Sequence, residues 1–169
     1  MQLPPEQERF KSNAIQLTKA LQTGLQKLKN EGYNVDLTMV MVASALIVGV
    51  DAHDLIQGFI ETSHFKCWDK IRARDEDFFV ENAGSIFAKL PGESVNLFKD
   101  LFLTKNADGI SVISQKLKNE VWSLFDAMIK IAIKYVHKHR KMIDEKYTEP
   151  FYDNVDLEHH ALIWQCKLL

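Results

Sequence analysis

Lys130, Lys134 and Lys138 recur at four-residue steps and Lys141 follows three later, with Arg140, His137 and His139 among them and no acid between. On a helix that spacing lines one face with cations. Such a face can contact the phosphates of a nucleic acid or another anionic partner, which makes Lys130, Lys134, Lys138, Arg140 and Lys141 the candidate contacts. It also matches an ordinary solvated face, where cations meet the negative end of the helix dipole. The solvated reading carries more weight, because no exposed aromatic is interleaved for base stacking and Tyr135 falls on the expected inner side.

The sign then reverses. From Asp144 to Glu158 there are six acids against the single Lys146. Attraction between exposed charges is screened beyond about 8–10 Å at physiological salt, so this segment meets the basic face only by direct docking. Its apolar residues include Phe151, Tyr152, Leu157, Leu162, Ile163 and Trp164. Residues 149–169 either pack on their own domain or form a docking tail, with Phe151, Tyr152, Leu157 and Trp164 as candidate protein contacts.

Other reactive residue types form no recognisable set. His137 and His139 lie two apart, so a helix points them to different faces. His159 and His160 are adjacent, with Glu158 and Cys166 nearby, but match neither HExxH nor paired CxxC, and no metal site is expected. Asp75, Glu76, Asp77 and Glu81 suit the positive end of a helix better than a carboxylate pair converging on a cleft. No glycine elbow surrounds a serine, and neither GxxxxGK[ST] nor GxGxxG occurs. No catalytic residue and no cofactor are assigned, and the chain reads as non-enzymatic.

The elements that carry these residues read as helices. The chain has 169 residues, 46% hydrophobic and 26% charged, with 21 basic against 23 acidic residues and net charge −2. This is the composition of one globular domain, 1–169, and not of a uniformly basic nucleic-acid binder. Cys67 and Cys166 lie far apart, which fits reduced thiols in a soluble intracellular protein. The N-terminus lacks a signal-peptide pattern.

The only long apolar run, Met39–Val50, is twelve residues, short of the roughly 20 needed to cross a bilayer. It is therefore not a transmembrane segment. A helix without a polar face must be covered on most sides, so Met39–Val48 is expected at the centre of the core. Around it, apolar periodicity predicts helices over Pro5–Asn30, Asp51–Thr62, Phe65–Arg72, Asp75–Lys89, Ser94–Leu103, Ser111 or Ser114 to Met142, and Asp156–Leu168. The fold class is all-α: a single globular bundle of about six to eight helices around that central helix.

One stretch has a family likeness. His64-Phe65-Lys66-Cys67-Trp68-Asp69-Lys70-Ile71, then Arg74-Asp75-Glu76-Asp77-Phe78-Phe79-Val80-Glu81-Asn82, Ile86-Phe87, Leu90-Pro91, Val95, Phe98, Trp122-Ser123-Leu124-Phe125 and Ile129–His137 follow in order. Together they resemble small helical proteins of unassigned role encoded by large nucleocytoplasmic DNA viruses. The likeness covers His64–His137 and brings no catalytic set. It implies a viral protein placed in the host cytoplasm or nucleus, or in the virion.

The function expected is a protein-interaction or structural role, exerted on a protein partner or a second copy through a helical surface or the aromatic tail. One alternative is a nucleic-acid-associated or regulatory factor using the 130–141 face. Another is a Bcl-2-like binder of helical peptides, by analogy with folds that wrap a buried apolar helix, although the Asn-Trp-Gly-Arg signature is absent.

Overall fold

The first helix, α1 (Glu6–Asn30), starts where Pro5 already has a helix-compatible φ of −54° and its carbonyl accepts the Glu8 and Arg9 amides at 3.1 Å. It ends in a Schellman turn. Tyr33 N–H donates to the Leu28 carbonyl and Gly32 N–H to that of Lys29, both at 3.1 Å. Gly32 sits at φ +93°, the left-handed conformation this turn needs and glycine adopts without strain.

The computed structural model describes residues 4–63, 67–86, 102–141 and 155–168. Six further helices follow in them: α2 (Thr38–Gly49), α3 (Ala52–Ser63), α4 (Trp68–Arg72), α5 (Glu76–Ile86), α6 (Gln115–Lys141) and α7 (Leu157–Ile163). The fold is all-α. Among the described residues the extended backbone amounts to an isolated bridge between Lys105 and Ser111, spanning a turn in which the Asn106 side chain accepts the Asp108 and Ile110 amides.

Short polar side chains start the later helices, as the sequence suggests. Asp51 accepts the His53 amide at 2.8 Å, Asp75 that of Phe78 at 2.9 Å, Ser114 that of Leu117 at 3.2 Å and Asp156 that of His159 at 3.1 Å. Each satisfies an N–H with no partner inside its own helix. The expected helix over Ser94–Leu103 lies largely outside the described residues, as do Phe87, Leu90-Pro91-Gly92, Val95 and Phe98.

The centre of the bundle corrects the sequence reading. The Met39–Val48 helix is not central. As α2 it packs along α1, burying Val40 and half-burying Ala43, Ser44, Ile47 and Val50. Its other face, Met41, Val42, Leu46 and Val48, stands in solvent. The analogy with folds that wrap a buried α2 loses its premise.

The long α6 occupies the centre instead. It packs against α1, α4 and α7 and fully buries Ile129, Ala132, Ile133, Tyr135 and Val136. The physical reason is contact length. At 1.5 Å per residue the 25 and 27 residues of α1 and α6 extend about 38 and 40 Å. The 12 residues of α2 reach only about 18 Å. Two long helices side by side remove more apolar area from water than either could against α2. The lysines of α6 keep it from reading as a core helix, yet they occupy a narrow strip.

Candidate functional site

That strip is Lys130, Lys134 and Lys138, exposed along a half-helix otherwise turned inward. The predicted basic face therefore exists as geometry, but its charges are partly spent within the chain. Lys138 Nζ lies 3.2 Å from Glu6 Oε2, and Arg140 donates to the Val155 carbonyl. Burial pushes the Glu6 carboxyl up, but a backbone hydrogen bond, Lys138 and Arg9 together hold it below the usual carboxylate range. Lys130 and Lys134 remain exposed with no ion pair among the described residues. The Lys141 side chain lies outside what is described.

The described part of the aromatic tail, residues 155–168, takes the first of its two expected courses and packs on its own domain. Of the four candidate protein contacts, Phe151 and Tyr152 lie outside the described residues. Leu157 and Trp164 are buried in the chain's own core and so do not serve as docking residues. Val155 and Ala161 are buried with them, and the Arg72 guanidinium lies 5.7 Å from the Trp164 ring. The reason is apolar area: α7 packs on α6, and Leu157, Ala161 and the following Trp164 are buried while Leu162 is left outward. Cys166, at the end of this segment, is half-buried, and that burial raises its thiol pKa against the opposing pull of Lys134 and Lys130. It is correspondingly a poor thiolate nucleophile.

A polar nest lies where α1, α3 and α6 meet. Tyr135 Oη and His53 Nδ1 share a hydrogen bond, and the His139 ring lies 3.9 Å from that of Tyr135 and 5.7 Å from that of His53. Burial lowers the His139 pKa, His53 and Lys138 lower it further, and Glu6 opposes them. A neutral imidazole beside a phenol can relay protons, but Tyr135 and His139 are buried. The Tyr135–His53 hydrogen bond satisfies two of these polar groups within the helix seam.

A second cluster forms where α4 meets α7. His159 Nε2 lies 3.6 Å and His160 Nδ1 4.0 Å from the Asp69 carboxylate oxygens. Sequence spacing discounted the histidine pair because its third member sits 90 positions upstream (159 − 69) and belongs to no linear motif. The only sequence signal was the pair itself.

Among the described residues, the largest departure from an ordinary surface is the outer face of α2. Met41, Leu46 and Val48 are 58, 54 and 56% exposed. Residues Thr38–Gly49 contain no ionisable side chain. Polar help comes from outside: Asp36 accepts the Thr38 amide at 2.8 Å, and Lys11 Nζ donates to the carbonyls of Val48 at 2.8 Å and Val50 at 2.6 Å. A lysine of α1 thus satisfies carbonyls at the C-terminal end of a helix with no cation of its own. No helix among the described residues is long and apolar enough to cross a membrane. Comparison with protein-family models, curated proteins and solved structures gives no match to this chain.

Proposed function

We propose that this is a non-enzymatic interaction or structural protein that works by self-association through the outer face of α2. The supporting observation is the row Met41, Val42, Leu46 and Val48, held outward on a helix fixed at both ends. Contiguous exposed apolar surface marks interaction sites. A second copy is the occupant favoured by charge. A face with no ionisable group pairs with itself under two-fold symmetry without burying a charge, and offers nothing to select a charged partner.

The magnitude sets the strength. A helix of about 18 Å gives an interface at the small end of the range, below about 1,200 Å². The dimer is therefore reversible and dependent on concentration. The resemblance of His64–His137 to viral helical proteins extends the proposal to a viral structural role, and rests on those residues alone.

Sedimentation equilibrium on the full chain tests this. A monomer–dimer equilibrium at micromolar concentration is expected, abolished in Leu46→Glu with helical circular dichroism intact. A wild type that stays monomeric, or a Leu46→Glu that dimerises equally, overturns it.

A further inference from the structure

We propose that Asp69, His159 and His160 form a binding site for a divalent transition-metal ion of the zinc type. The three side chains offer one carboxylate oxygen and two imidazole nitrogens, all within 4.8 Å of one another. Zinc bonds of about 2.0–2.2 Å place tetrahedral ligand atoms roughly 3.3–3.6 Å apart. His159 Nε2 lies 3.6 Å from Asp69 Oδ2 and His160 Nδ1 4.0 Å from Oδ1, and rotation of the exposed Asp69 and His159 side chains draws a set already within 4.8 Å toward that spacing. Two imidazoles with one carboxylate suit zinc and its late first-row neighbours, and are a poor match for magnesium or calcium, which prefer all-oxygen sets.

The surroundings distribute rigidity and access. The side chain of His160 is 8% exposed, and its ring sits edge-on to Trp68 with centroids 4.7 Å apart. Trp68 is fully buried and donates from Nε1 to Ser63 Oγ at 2.9 Å. His160 is thereby a fixed ligand. Asp69 and His159, 59 and 47% exposed, line the solvent side, where water can complete the coordination shell. The start of α7 is set by Asp156, whose carboxylate accepts the amide of His159 itself.

The ion neutralises one carboxylate and ties α4 to α7, two short helices of 5 and 7 residues that are each docked on α6. Metal binding therefore couples to the docking of the last helix.

Titration of the untagged full chain with Zn²⁺, followed by calorimetry and by melting temperature, tests the site. One ion per chain is expected, with a rise in melting temperature that Mg²⁺ does not reproduce. Asp69→Asn and His159→Asn alter exposed side chains, so the fold persists. Each is expected to weaken Zn²⁺ binding by at least the roughly 10–100-fold seen for loss of a mere outer-shell partner. Glu158→Gln, on the same helix but outside the cluster, leaves binding unchanged. No saturable binding, or binding undiminished in both ligand variants, leaves only an Asp–His contact and overturns the proposal.

Discussion

Arg74 and Asp126 face each other as a two-pronged pair, Nη1 to Oδ1 at 2.8 Å and Nη2 to Oδ2 at 2.6 Å, across 52 positions of sequence. The guanidinium also lies 5.7 Å from the Trp122 ring. The pair fastens the joint between α4 and α5 to the central α6. Asp75 caps α5, while its sequence neighbour Arg74 reaches a different helix.

Arg74 holds a φ of +56°, where an L side chain is strained. Left-handed backbone costs a non-glycine residue roughly 1–2 kcal/mol. Arg74→Ala loses the ion pair and keeps the strain; Arg74→Gly loses the pair and sheds the strain. The pair is partly solvated and contributes no more than about 1 kcal/mol. Urea unfolding is expected to rank wild type above or near Arg74→Gly, and both above Arg74→Ala, with Gly exceeding Ala by about 1 kcal/mol. Equal glycine and alanine variants would show that the strain is not carried by this residue.

The placement of α2 outside and α1 inside gives opposite expectations for two truncations. Phe10 is 1% exposed and its ring lies 5.0 Å from that of Phe59. Phe10→Ala is expected to cost about 3–5 kcal/mol. Leu46→Ala, at a solvent-facing site, is expected to stay within about 0.5 kcal/mol when measured on dilute protein. Comparable losses at the two sites would return α2 to the core.

Buried His139 makes stability depend on pH with a defined sign. Its folded pKa lies below the ordinary imidazole value of about 6.5. On acidification the unfolded chain takes up this proton before the folded chain does. The contribution is therefore full above about 6.5 and is lost as pH falls from there through the lower folded value. Melts between pH 7 and 5 are expected to show this loss in wild type and a flatter profile in His139→Gln. An unchanged slope in the variant assigns the loss to other groups.

Helix identity was readable because it depends on near neighbours. The α1 stripe of Phe10, Ala14, Leu25 and Leu28 is buried as its spacing implies. Asp51, Asp75, Ser114 and Asp156 stand at starts that their short polar side chains favour. The basic strip of α6 was legible for the same reason: Lys130, Lys134 and Lys138 share a face by helical geometry alone. Pairings across space were not. Nothing local ties Asp69 to His159, Arg74 to Asp126 or Lys11 to the carbonyl of Val48, because each depends on how separate helices dock.

By itself, the sequence determined an all-helical chain, where most of its described helices begin, and which residues share a face. These follow from hydrogen bonding and side-chain spacing within a few residues. Only the tertiary structure decided which helix lies at the centre. Uniform apolarity said that α2 can be buried, but docking maximises the area removed from water along the whole length of a contact. The long α1 and α6 gain more by lying together, so α6 takes the centre despite its lysines and α2 keeps an apolar face to the outside.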